Sequence, residues 1–144
     1  MLHALTPQRT DGYLPLEHYG AVGDGRSVAL VGADGSIDWW CAPDMDSQPL
    51  FNRLHDPKGG CFSISPTKPF RIERRYRKSS NVLETLFITD DGCARMTESL
   101  NSGVSGRLPW CELARRIEGV SGKVEFEIVL QPVCAGREVR RVKR

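Results

Sequence analysis

Apolar and polar positions alternate with a period of two over many short runs of this chain, and glycine-rich turns separate the runs. The pattern is densest between residues 20 and 53. There Val28–Val31 is expected to run into a hairpin at Asp34-Gly35, and Ser36–Cys41 to run out of it. A type I′ turn needs positive φ at both central residues, and Asp-Gly tolerates that. Strict alternation places Ile37, Trp39 and Cys41 on one face, with Ser36, Asp38 and Trp40 on the other. An indole on each face predicts a strand covered on both sides, within one domain or against a second.

The other runs follow the same logic. Tyr13–His18 leads into the turn Gly23-Asp24-Gly25-Arg26, and Pro43–Ser47 is a loop. Ser47 is placed to cap a short helix through Phe51, Leu54 and His55, stopped by Asp56-Pro57. Cys61–Ser65, Phe70–Tyr76 and Asn81–Thr89 read as strands. Asp90-Asp91-Gly92 is a second hairpin turn of the same chemistry. Cys93–Leu100 returns with Cys93, Arg95 and Thr97 on one face and Ala94, Met96 and Glu98 on the other. After a Gly/Ser loop over 101–109, Trp110–Glu118 and Lys123–Leu130 are expected to pair around Gly119–Gly122. The second of these sets Val124, Phe126, Ile128 and Leu130 against Lys123, Glu125 and Glu127. Many short strands with turn signals between them predict an all-β antiparallel sandwich. No long run of helical periodicity interrupts them.

Composition narrows the partners. At 144 residues, with 40% hydrophobic and 26% charged positions, the chain can bury one core. Its net charge of +2 is uneven, because residues 137–144 hold five basic side chains against Glu138. The remainder is therefore slightly acidic, and no nucleic-acid footprint exists outside that tail. The five cysteines at 41, 61, 93, 111 and 134 are odd in number, and no C-x-x-C occurs. That pattern excludes a zinc ribbon and suits free buried thiols in a reducing cytoplasm. Met1–Asp11 lacks the apolar core of a signal peptide, and no run is long enough to cross a membrane. A cytoplasmic protein with an arm at 1–12, a sandwich over 13–134 and a basic tail at 135–144 is expected.

Candidate chemistry is sparse. Glycoside hydrolysis requires two carboxyls, about 6.5–9.5 Å apart for inversion. Asp44 with Asp46, and Asp90 with Asp91, are pairs of the right type. Both pairs sit in turns, where aspartate bonds its own backbone, and that role is expected for each. His3, His18 and His55 share no metal-binding spacing. Gly23-Asp24-Gly25 is not followed by Lys-Ser, and no G-x-S-x-G occurs, so a phosphate loop and an esterase elbow are absent.

Order and motif together carry a resemblance. Gly23-Asp24-Gly25-Arg26, then Asp34-Gly35-Ser36-Ile37-Asp38-Trp39-Trp40, then Pro43 with Asp46-Ser47, then Phe51, Leu54 and Asp56, succeed one another. Gly59-Gly60, Arg74-Arg75-Tyr76, Asn81–Thr85 and Arg115–Gly122 follow. Over about residues 13–132 the chain resembles the N-terminal domain of bacterial family 15 glycoside hydrolases, the glucoamylase-like and trehalase-like proteins. The resemblance implies a large, supersandwich-like β-domain, here incomplete at its C-terminal end. It also implies that both catalytic glutamates belong to an (α/α)6 barrel that this chain does not contain. The chain is then a non-catalytic support for a barrel, on the same or a separate chain, acting on α-glucosides or trehalose.

Asp24, Arg26, Asp38, Trp39, Trp40 and Asp46 are its candidates for the substrate or interface side; no catalytic residue, metal ligand or cofactor is expected. The family pattern has a basic or amide residue at Asp44 and commonly leucine at Trp40, and both departures bear on that loop. Two other readings stay open. In one the domain is an autonomous carbohydrate-binding module, with Trp39, Trp40, Tyr13 and Tyr76 stacking on sugar rings. In the other it is a protein-interaction module that uses an exposed strand edge and self-associates.

Overall fold

A computed structural model describes residues 4–102 and 110–133. A 3₁₀ turn at Leu16–His18 precedes ten strands. These are β1 (Tyr19–Gly23), β2 (Val28–Gly32), β3 (Ser36–Cys41), β4 (Pro49–Phe51), β5 (Cys61–Pro66), β6 (Arg71–Tyr76), β7 (Leu83–Ile88), β8 (Gly92–Asn101), β9 (Glu112–Gly122) and β10 (Phe126–Gln131). They form two antiparallel sheets. The first runs β1-β2-β3-β5-β10, with β4 sharing the β3 edge with β5; the second runs β6-β7-β8-β9. The all-β antiparallel expectation holds.

The core lies between the sheets, and each sheet contributes to both of its clusters. Val22, Ala29, Val31, Ile37 and Phe51 of the first sheet meet Leu83 and Leu100 of the second. Ala33 and Ile64 meet Ile72, Phe87 and Met96. The Phe87 ring takes Phe70 and Phe126 edge-on, with centroids 5.5 and 5.7 Å away. Side chains of this size each stabilise the fold by about 1.5–3 kcal/mol through burial. Alternation in β8 is as expected: Ala94, Met96, Glu98 and Leu100 all face inward and are buried.

Four local expectations are corrected. The loop at Asp34-Gly35 spans three residues, with Gly35 alone at positive φ, +87°. A Gly35 N–H bond to the Gly32 carbonyl closes it, so it is a turn ending in a left-handed glycine, not type I′. The Asp90-Asp91-Gly92 hairpin also forms without positive φ at either aspartate. Its turn is bonded by the Thr89 hydroxyl, which accepts from Asp91 and Gly92 N–H, while the Asp91 carboxylate pairs with Lys68.

No helix follows Ser47. Pro49 holds the chain extended, and Phe51 pairs with Trp40 as strand β4. Finally, β9 and β10 do not pair with each other. Residues 119–122 continue β9 along β8, and the chain crosses at 123–125 to lay β10 against β5.

Candidate functional site

The strand β3 carries most of the candidates, and its alternation is broken. Leu30 lies opposite Trp39 and Val31 opposite Ile37, leaving Asp38 as one extra residue in a β-bulge. The bulge shifts the parity of everything after it. Ile37 and Trp40 therefore share the inner face, where Trp40 stacks on Phe51 at 6.4 Å. Trp39 lies outside both core clusters, half-buried opposite Leu30. One indole does lie on each face, but the grouping of Trp39 with Ile37 is corrected.

Asp38 itself stays on the face opposite Ile37, beside Ser36, where one Arg9 nitrogen reaches both. The Asp38 carboxylate is fully buried and accepts three side-chain hydrogen bonds. Arg53 Nε donates to Oδ1 at 2.8 Å, while an Arg9 nitrogen at 2.7 Å and the Tyr19 hydroxyl at 2.5 Å donate to Oδ2. Arg9 Nε also donates to Asp34 Oδ2 at 2.7 Å, and Ser36 Oγ donates to Asp34 Oδ1 at 2.6 Å. Two carboxylates thus face two guanidinium groups.

Burial alone would raise the Asp34 carboxyl, but the hydrogen bond and charge of Arg9 outweigh it and hold the group below its usual range. Burial and the neighbouring Asp38 push the Tyr19 phenol far above its usual range. Gly32 admits this cluster, because a Cβ there would meet Ser36 Oγ at 2.5 Å and Asp34 Oδ1 at 2.8 Å. A buried carboxylate held by two guanidinium groups and a phenol acts as a fastener.

Asp24 and Arg26 belong to a different place, the turn between β1 and β2. Asp24 Oδ1 accepts from the backbone N–H of Arg26 and Ser27, both at 2.9 Å. Burial raises the Asp24 carboxyl, but those N–H groups together with the charge of Arg26 hold it below its usual range. Asp44 lies 3.7 Å from Arg26 Nε, and Met45 N–H donates to the Arg26 carbonyl. Asp44 and Ser47 close their own turn, as the turn role requires; Asp46 is exposed beside it. Cys111 Sγ sits 3.8 Å from Asp24 on the far side. The structure therefore separates Asp38 from the group Asp24, Arg26 and Asp44–Asp46.

Of the four proposed sugar-stacking rings, Trp39 is half-buried on the outer face and the other three are engaged elsewhere. Trp40 is in the core, the Tyr13 hydroxyl donates to the His55 carbonyl, and the Tyr76 hydroxyl bonds both backbone groups of Ala21. Among the described residues no group of three or more His, Cys, Asp or Glu is placed to hold a metal. Cys41 and Cys61 are buried free thiols, whereas Cys93 and Cys111 are only half-buried; Cys134 and the basic tail lie outside the described residues. No helix among the described residues is long and apolar enough to cross a membrane.

A second polar node joins the sheets and was not singled out from the sequence. Arg115 of β9 and Glu98 of β8 form an ion pair at 2.7 Å, with side chains 2% and 1% exposed. Arg115 also donates to the Phe62 and Gly35 carbonyls of the first sheet, at 2.9 and 2.6 Å, and lies over the Phe62 ring. Its signal was present, since alternation put Glu98 on the same face as Met96. Arg9, by contrast, sits in an irregular arm with no local pattern to mark it.

Comparison with known proteins follows this geometry. The family described as "Trehalase-like, N-terminal" matches residues 9–127. A trehalase of Thermoplasma volcanium is 30% identical over 126 residues, covering 85% of this chain and 20% of that protein. Trehalase 2 of Sulfolobus acidocaldarius is 30% identical over 131 residues, covering 86% and 21%. A trehalase of Mycolicibacterium smegmatis is 29% identical over 115 residues, covering 79% and 16%. The chain thus spans about a fifth of the length of these curated relatives. No solved structure matches it. The match to most of the sandwich, Arg9 and the β3 bulge included, means that this chain belongs to the trehalase-like N-terminal family.

Proposed function

We propose that this chain is the non-catalytic sandwich of a family 15 glycosidase of the trehalase or glucoamylase type, and that it supports an (α/α)6 catalytic part that cleaves trehalose or a related α-glucoside. The observation that carries this is an uncovered inner surface. Ile117 of β9 lies opposite the buried Met96, and Ile128 and Leu130 of β10 lie opposite Ile64 and Phe62. All three point between the sheets, yet they are 38%, 41% and 42% exposed. A domain that folds for itself alone closes such a side; one that is part of a larger body leaves it for a neighbour. The carboxylates agree with a supporting role, because Asp34, Asp38, Glu84 and Glu98 are all committed to arginines. The free thiols suit the cytoplasm.

In isolation the same open side drives self-association through the edges of β9 and β10, each of which has one strand partner among the described residues. Light scattering across a dilution series should show species above 16.1 kDa that dissociate on dilution; a monomer at high concentration would contradict this. For function, the matched segment of the Thermoplasma volcanium trehalase is replaced by this chain. The chimera is expected to release glucose from trehalose, and this chain alone is expected to release none. Glucose release by the chain alone, or an inactive chimera beside an active parent, overturns the reading.

A further inference from the structure

Where β1 and β6 face each other the two sheets are bridged but the gap is not filled. A cavity of about 320 Å³ lies there, a size at which small-molecule sites begin. Leu5, Ala33, Ile72 and Leu83 give it apolar walls, and His18 and Arg74 are among its polar lining. Arg75 and Tyr76 reach it too, but both are engaged: Arg75 Nε donates to Glu84, and the Tyr76 hydroxyl bonds both backbone groups of Ala21.

Two polar groups of the lining are left incomplete. The first is Arg74. Its Nε donates to Thr85 Oγ1 at 3.1 Å, its Nη1 to the His18 and Val31 carbonyls at 3.2 and 3.1 Å, and its Nη2 to the Gly32 carbonyl at 2.7 Å. A guanidinium carries five N–H groups, so one hydrogen on Nη2 has no acceptor among the described residues. Its charge also lacks a contact partner there, because Asp34, Asp38, Glu84 and Glu98 are all taken by other arginines. The second is His18, whose Nδ1 is buried and has no hydrogen-bond partner among the described residues. A buried donor without an acceptor is costly, and a buried charge without a counter-ion more so.

The chemistry of the cavity selects its occupant. A cation is repelled by Arg74, and a neutral molecule leaves that charge uncompensated. An anion offers acceptors both to Nη2 and to Nδ1, with the imidazole proton on Nδ1. The apolar walls ask for a hydrocarbon body. Glu17, exposed in the same lining, disfavours a second negative charge. We propose that the cavity binds a small monocarboxylate with an apolar body, its carboxylate accepting from Arg74 Nη2 and His18 Nδ1. The site is a property of this sandwich and stands apart from the glycosidase reading.

Equilibrium dialysis of the full chain against radiolabelled isocaproate tests the site. Saturable binding of one isocaproate per chain is expected, with isocaproamide and inorganic phosphate both failing to compete. The substitution His18→Phe removes Nδ1 and keeps the backbone carbonyl that Arg74 uses, and is expected to weaken binding about tenfold. Arg74→Met is expected to abolish it; if that variant does not fold, His18→Phe decides alone. Absence of saturation up to the solubility of the acid overturns the proposal. Equal competition by isocaproamide overturns it by removing the charge, and equal competition by phosphate by removing the apolar wall. Unaltered binding in His18→Phe overturns it as well, since the ligand then sits elsewhere.

Discussion

The two long sides of the sandwich are built differently. On one side β1 and β6 face each other, and three devices close the gap. Arg74 of β6 donates to the carbonyls of His18, Val31 and Gly32. The Tyr76 hydroxyl both donates to and accepts from Ala21 on the free edge of β1. Leu5 forms a bridge with Ile72 on the free edge of β6. On the other side, where β9 and β10 are the edge strands, Arg115 ties β9 to β5 and to Gly35 before β3, and Ile117, Ile128 and Leu130 stay uncovered. A closed side uses polar groups to satisfy edges that nothing else will reach. An open side keeps its edges and apolar groups for a neighbour.

This contrast can be broken most severely at Arg115. Removing one member of a buried ion pair leaves the other charge stranded, so Arg115→Ala is expected to cost about 3–5 kcal/mol in urea unfolding. Replacing both partners, Arg115→Met with Glu98→Leu, should recover most of that loss. If the single variant costs no more than a surface substitution, the open side does not depend on this strut.

Arg74→Met on the closed side is expected to cost less, about 2 kcal/mol, because it removes hydrogen bonds without stranding a carboxylate. Burial pushes the Arg74 guanidinium down, against the pull of Glu98.

Tyr76→Phe should cost about 1 kcal/mol. Its sharper signature is local: amide exchange at Ala21 should quicken while β10 amides stay as they were. Equal quickening on both sides would mean that the sides are not independent.

The smallest effect is acid loosening of the closed side. The Asp34 carboxyl is held below its ordinary value, so its pairing with Arg9 stabilises the fold above the ordinary carboxylate range. That contribution is lost as pH falls below about 4 and through the lowered folded value. Arg9 holds the arm that carries Leu5 to β6. Exchange at Leu5 and Ile72 should therefore rise in acid before exchange in β9 does. The substitution Asp34→Asn should flatten that dependence.

How far the chain could be read in advance follows from what a period-two pattern contains. It marks a strand and sorts its side chains into two faces. Ala94, Met96 and Glu98 were grouped correctly, and Ile128 and Leu130 were set on an apolar face that is indeed uncovered. The pattern does not name a partner strand. Lys123–Leu130 looks like the return of a hairpin, but β10 pairs with β5, some sixty residues away in sequence, because the inner face of β5 offers Phe62 and Ile64 to Leu130 and Ile128.

Ser47 has a capping side chain, yet Pro49 and the stacking of Phe51 on Trp40 decide for a strand. The candidates Asp24, Arg26, Asp38, Trp39, Trp40 and Asp46 came from one stretch of sequence. The fold divides them among an outer-face fastener, a core position and one end of the sandwich.

The sequence by itself determined the β class, the places of the glycine and aspartate turns, and the two faces of the regular strands β8 and β10, because these rest on local sterics and on burial of one face. Tertiary structure alone decided the bulge at Asp38, the pairing across the two sheets, and the arrival of Arg9 and Arg53 at one carboxylate. A bulge changes strand parity only where cross-strand bonds and a buried charge partner compensate for the lost pairing. Those partners lie 15 and 29 residues from Asp38 along the chain.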